Sequence, residues 1–362
     1  MREGSFFFRG HFERSIGMVQ DSSKQSDQLQ TLLAERDIRK LGNFLKDQVE
    51  DFKQSDQFKN YLDFVAKCPK YSIKNIQLLL KQKPTIGHVA TFTKWKEQGY
   101  HIKKGSKGYK IFMPIIGAKY EDGQPILNEK NEKVMEVKGF KLGTVFEDKQ
   151  LVEYEKIPKP VAYLNQDTSL TKELFIALAE ISKVEIELKP LEVDGYYSST
   201  EQKIFINSKL HGADLIHTLI HEVTHAKLHQ NTETSFGEKQ YSIQELEAES
   251  TAYIVANNYG IDTSKYTIGY LNSWGLDKIS SEDLYDVMEK VQAAAKELIE
   301  NIDLELKRQK EVQMKKTTLQ SEIELAKGKQ NELQNELREK INQQKNKKQF
   351  QEETKIKEGV PL

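Results

Sequence analysis

Apolar positions along the chain change rhythm three times. Over residues 27–53, Leu29, Leu32, Leu33, Ile38, Leu41 and Leu45 recur among polar neighbours at helical steps, which predicts one polar-faced helix. Residues 55–83 are denser in apolar side chains and predict one or two better-packed helices, broken at Pro69. From 84 to 116 the helical period is lost. Pro84, Gly87, Gly99, Gly105 and Gly108 punctuate short runs, and YKIFMPII at 109–116 reads as a strand. The polar stretch 117–136 predicts a hairpin or a mobile loop, and GFKLGTVF at 139–146 returns to strand character. Pro158 and Pro160 mark a linker over 151–168.

A second unit starts near 169 with the helical pattern Leu174, Ile176, Leu178, Ile181. Residues 194–207 predict two short strands around a Ser-Ser-Thr-Glu turn, and helices follow to about 300. From 296 onward Lys, Glu, Gln and Leu dominate. Positions 312, 316, 319, 323, 326, 330, 333 and 337 (Val, Lys, Leu, Ile, Ala, Gln, Leu, Leu) form a heptad seam with polar gaps. A coiled coil and a solvated single helix suit this tail equally, and its last dozen residues are expected to be disordered. No internal repeat is evident.

Composition narrows the classes. The chain has 362 residues, 37% hydrophobic and 30% charged, so part of its length is not packed core. The net charge of −1 conceals an asymmetry. Residues 58–116 hold twelve lysines against Asp63 and Glu97, whereas residues 241–300 hold eleven acids against four lysines. A basic block beside an acidic one predicts a polyanion-binding module joined to something else. The lone Cys68 excludes an internal disulfide framework and fits a reducing cytoplasm. No apolar run approaches the ~20 residues that span a bilayer. The opening MREGSFFFRG lacks the apolar length of a secretory signal. Residues 1–26 are read as a disordered segment or a mis-assigned start.

The chemistry concentrates in HTLIHEVTHAKLH, residues 217–229. On a helix turning about 100° per residue, His217, His221, His225 and His229 fall within roughly 120° of arc, while Leu215, Ile216, Leu219, Val223 and Ala226 occupy the opposite face. The histidines therefore meet something polar. Within the run, HEVTH at 221–225 is H-E-x-x-H. One turn brings two imidazoles to the same side of the helix, where both reach one Zn²⁺. Glu222, a further ~100° round, is set to deprotonate the attacking water instead of joining them. His217 and His229 are read as supporting or surface residues.

A catalytic zinc takes a third protein ligand. SIQELEAESTAYIV, residues 242–255, reads as a helix with Glu245 and Glu249 one turn apart on one face. One acid would bind the metal and the other would hold a ligand histidine; Glu245 is favoured as ligand, with the swap open. Ser242 and Glu245 also fit a capping box, and Glu247 is expected at the surface. Tyr196 or Tyr197 is read as an oxyanion aid or as sheet packing.

In the basic block, Lys94, Lys96, Lys103, Lys104, Lys107 and Lys110 alternate with Trp95, Tyr100 and Tyr109 on a glycine-punctuated hairpin. Lysines for phosphates and aromatic rings for bases suit single-stranded nucleic acid. The block has no Arg, which argues against duplex reading.

Residues 71–115, then 139–146, then HEVTH, then ELEAESTAYIVANNYGIDTSKYTIGYLNSW at 245–274 resemble the ArdC-type antirestriction proteins, more narrowly their LtrC-like relatives on Gram-positive conjugative elements. The resemblance covers roughly residues 40–295. It implies an α+β chain: a small α+β single-stranded-DNA-binding domain at 27–150 and a zincin-like metallopeptidase domain at 169–295, followed by a helical or coiled-coil tail at 296–362. It implies Asn75, Lys94, Trp95, Lys103, Lys104, Gly105 and Lys107 for the DNA face. It implies His221, Glu222, His225 and the Glu245/Glu249 pair for one zinc ion. The expected role is protection of conjugatively transferred DNA, with a protein substrate in the recipient host, no membrane, and self-association through the tail. A non-catalytic DNA-coating scaffold and an ImmA-type regulatory peptidase are the alternatives.

Overall fold

The computed structural model describes residues 24–156, 169–230, 238–263, 276 and 279–357. Most of the expected linker, the start at 1–23 and the last five residues lie outside the described residues, as do 264–274 of the resembling segment. The fold is mixed helix and strand.

The polar helix expected over 27–53 is instead two helices and a 3-10 turn. Helix α1 (24–35) stops at Arg36, whose φ of 57° is left-handed. Asp37 then caps α2 (Ile38–Asp47), its carboxylate accepting from the N–H groups of Arg39 and Lys40. A left-handed stop on arginine carries no glycine signal, which is why the pattern ran through it. Leu29, Leu32, Leu41, Phe44 and Leu45 pack with Leu78 and Phe112. Helices α3 (Ser55–Lys67) and α4 (Ile73–Gln82) are separated at Pro69 as expected.

Beyond them, β1 (Val89–Thr91) leads into a short helix α5 (Phe92–Glu97), capped by the Thr91 hydroxyl. Lys94 and Trp95 thus sit on a helix, not on the expected hairpin. Strands β2 (Tyr109–Ala118) and β5 (Met135–Glu147) complete an antiparallel sheet ordered β1-β5-β2. The polar stretch 117–136 resolves as a hairpin. Its strands β3 (Tyr120–Glu121) and β4 (Gln124–Pro125) turn at Asp122 and Gly123, whose φ values of 50° and 79° are those of an Asp-Gly turn. The module also runs past 150. Leu151, the first residue assigned to the linker, is fully buried against Ala90 and Trp95.

The second module opens with α6 (Ser169–Ile181) and a three-stranded sheet ordered β6-β8-β7. Strand β6 (Glu185–Lys189) runs parallel to β8 (Lys203–Asn207), and β7 (Gly195–Ser198) runs antiparallel to it. β6 was not expected, although Ile186 and Leu188 alternate with charges there. Helices α7 (Gly212–Leu228), α8 (Lys239–Asn258) and α9 (Ser281–Lys357) follow. α7 buries Ile216, Leu219, Ile220 and Val223. Tyr253 and Asn257 of α8 donate to Asp63 of α3, and Asn258 donates to the Ala66 carbonyl. The two modules therefore share one compact unit ending at Ile302. Asp303–Leu362 forms a unit of its own, in which Val312, Leu319, Ile323, Leu333 and Leu337 are exposed. Among the described residues, no helix is long and apolar enough to cross a membrane.

Candidate metal centre

α7 and α8 face each other with unlike chemistry: imidazoles on one, carboxylates on the other. His221 and His225, one turn apart on α7, bring their Nε2 atoms to 3.0 Å. Glu245 of α8 lies 3.4 Å from His221 Nε2 and 3.6 Å from His225 Nε2. Those three edges bracket about 3.3 Å, the edge of a tetrahedron with bonds of ~2.0–2.1 Å. Two imidazole nitrogens and a carboxylate oxygen are a fitting donor set for a divalent metal.

Glu249 sits on the other side of His221, 3.4 Å from its Nδ1 and 3.1 Å from His217 Nε2. The trio His217, His221, Glu249 also converges, but it shares His221 and leaves His225 out. Ser242 forms no capping box: α8 starts at Lys239, and the Ser242 hydroxyl donates back to Glu238. Glu247 corrects a second expectation. It is 1% exposed, with His229 Nε2 2.8 Å and Lys290 Nζ 3.0 Å from its two oxygens. His217 and His229 are likewise buried between helices, not at the surface.

Glu222 is buried and turned toward β7, where the Tyr197 N–H donates to it. Gly195 makes that approach feasible: a Cβ there would lie 2.8 Å from Thr218 Cγ2 and 3.0 Å from the Phe205 carbonyl. Tyr197 thus acts through its backbone, while Tyr196 packs its ring on Phe205 at 4.9 Å. Tyr241, which sequence reasoning missed, hydrogen-bonds Glu245 from one turn earlier on α8, a spacing readable in hindsight.

The charges are unevenly held. Burial opposes a proton on His221, but Glu245, Glu249 and Glu222 outweigh it and raise the imidazole to about 10. Burial, with His221 and His229 beside it, holds His225 well below the usual histidine range. Burial, with help from Glu245, pushes the Glu222 carboxyl up to about 7 against the pull of His221 and the Tyr197 N–H. Burial would raise Glu249 too, but its bonds to His217 and His221 prevail and lower it to about 2. One consequence is testable. An ion competes with the proton on His221, so its affinity should rise with pH, by up to about tenfold per unit from roughly pH 7 to 9. It should level off above the imidazole value of about 10. Chelator competition across that range checks it, and a flat profile contradicts it.

The lysine-rich module divides. Trp95 is 2% exposed; its indole N–H donates to the Phe146 carbonyl at 2.8 Å. Asn75 is also buried, exchanging both amide bonds with the Phe112 backbone at 2.7 and 3.0 Å. These two hold the module together and do not face a ligand, which corrects their place on the expected DNA face. Lys110 donates to Thr144, Tyr109 is half-buried, and Lys94 is exposed near Glu97. Lys103, Lys104 and Lys107 are exposed on the loop around Gly105, whose φ of 83° demands glycine, with Lys103 reaching the Lys149 carbonyl.

Comparison with known proteins finds a match for each of the two modules. A family model described as the N-terminal domain of anti-restriction factor ArdC matches residues 28–146, and one described as a zincin-like metallopeptidase matches residues 177–296. A Bacillus anthracis protein designated uncharacterized protein pXO2-81 is 28% identical over 306 residues, covering 74% of this chain and 52% of its own. The chain thus spans about half the length of that relative. Crystal structures of the antirestriction ArdC protein from plasmid R388, Mn(II)-bound and metal-free, are 20% and 19% identical, each with a TM-score of 0.41. They cover 72% and 70% of this chain and 97% and 98% of their own. The chain thus carries, in succession, a domain similar to the N-terminal domain of anti-restriction factor ArdC and a zincin-like metallopeptidase domain.

Proposed function

We propose that this chain is a cytoplasmic protein that binds single-stranded DNA through its N-terminal module and hydrolyses peptide bonds at a zinc centre. In this reading it protects conjugatively transferred DNA from restriction, acting on a protein of the recipient host. The observation that carries the proposal is the meeting of His221, His225 and Glu245 beside a buried Glu222. Zn²⁺ bound there would polarise the peptide carbonyl and acidify the attacking water. Glu222 would take the proton from that water and return it to the leaving amine. The Tyr197 N–H fixes the direction of the carboxylate. β7, the outer strand of its sheet, offers an extended peptide a strand to pair with. Lys103, Lys104 and Lys107 supply phosphate contacts, and the tail's heptads pair chains together.

Glu222→Gln keeps the shape and removes the base. Hydrolysis of an unstructured protein should fall by about 10²–10⁴-fold, with metal and DNA binding unchanged. The decisive measurement is transfer of unmodified DNA into a restricting host, with DNA affinity followed in parallel. Loss of protection supports peptidase chemistry. Full protection by the variant means that coating the DNA suffices and hydrolysis is not the mechanism.

A further inference from the structure

We propose that His229, Glu247 and Lys290 form a relay that positions His225 and sets how tightly the centre holds its ion. The proposal rests on the reading of His221, His225 and Glu245 as ligands.

His229 closes α7 one turn beyond His225 and turns its ring back, so that the two Nδ1 atoms lie 2.9 Å apart. Two such nitrogens bond only if one carries a proton and the other does not. A ligand His225 presents a bare Nε2, so its proton sits on Nδ1 and is donated to His229. In the ion-free chain the same bare Nε2 accepts from His221 Nε2–H across the 3.0 Å between them. Having accepted on Nδ1, neutral His229 carries its own proton on Nε2, 2.8 Å from a Glu247 oxygen. The second Glu247 oxygen accepts from Lys290 Nζ at 3.0 Å. Every donor in the series meets an acceptor.

Burial makes the series consequential. Glu247 is 1% exposed and His229 8%, so neither has water to fall back on. The two ligand histidines are also supported differently. His221 meets the Glu249 carboxylate directly, whereas a neutral imidazole stands between His225 and its carboxylate. Lys290 belongs to α9, so that helix completes the support of a metal ligand on α7.

The test uses the full chain and His229→Ala, His229→Asn and Glu247→Gln. Zn²⁺ affinity is read by chelator competition, the visible spectrum after Co²⁺ loading, and fold by circular dichroism. His229→Ala should weaken Zn²⁺ by about ten- to a hundredfold. His229→Asn, whose Oδ1 stands where Nδ1 stood, should recover most of that loss. Glu247→Gln should shift the Co²⁺ bands with the fold intact. The relay is overturned if His229→Asn is as weak as a folded His229→Ala, or if His229→Ala and Glu247→Gln both match the wild type. Should His229→Ala not fold, an unchanged Glu247→Gln alone overturns it. A wild-type chain that takes up neither ion sinks the ligand reading itself, and the relay with it.

Discussion

Glu245→Ala is expected to weaken divalent-ion binding by roughly a hundred- to a thousandfold, and Glu249→Ala by about ten- to a hundredfold. The first figure follows from dividing a four-ligand binding energy of ~10–16 kcal/mol among its ligands, about 3 kcal/mol each. Glu245 is the acid that reaches both Nε2 atoms, at 3.4 and 3.6 Å. Glu249 touches His221 only on Nδ1 and spends the same oxygen on His217. Its loss leaves the donor set whole but frees the ring of His221 to turn. Calorimetric titration of the metal-free chain with Zn²⁺ measures both. The competing trio of His217, His221 and Glu249 predicts the opposite order, and there His217→Ala would cost as much as loss of a ligand. Unchanged affinity in both acid variants would end the proposal of a metal centre at this place.

The histidine helix was legible because two periodicities coincide in it. The apolar stripe of α7 fixes which way the helix lies, and the four histidines then occupy what is left. Glu245 and Glu249 were legible for the same reason, one turn apart on α8. Glu247 was not. Its burial depends on His229 from α7 and Lys290 from α9, and no period within α8 announces a meeting of three helices. The choice between Glu245 and Glu249 stayed open because helical spacing places both on one face, and only the direction of His221 separates them. In the first module, the helix break at Arg36 was hidden because arginine stands at a left-handed position usually given to glycine. Trp95 and Asn75 were misplaced for a more general reason. A tryptophan among lysines reads alike whether it awaits a base or anchors a core. Its partners Phe146 and Leu151 lie some fifty residues away in the chain.

Trp95→Ala should therefore cost stability, about 3–5 kcal/mol by analogy with other large aromatic deletions from cores. The indole fills the space between Ala90 and Leu151, and its N–H satisfies the Phe146 carbonyl. Truncation leaves both a cavity and a buried carbonyl without its donor. Denaturant unfolding of the full chain reads the loss as a lowered midpoint. The paired change Lys104→Ala with Lys107→Ala should leave that midpoint in place, since both side chains are exposed. It should instead weaken single-stranded DNA binding equally for all sequences and flatten its salt dependence, by about 0.7 in log–log slope per lost phosphate contact. Trp95→Ala will also impair DNA binding, but only by unfolding the surface that carries the lysines. Trp95→Phe separates the two causes, because it keeps most of the packing and removes the indole. DNA affinity equal to wild type in a folded Trp95→Phe chain assigns the residue to the core. A loss of affinity there, at unchanged stability, would return Trp95 to the DNA face and require the module to open before it binds.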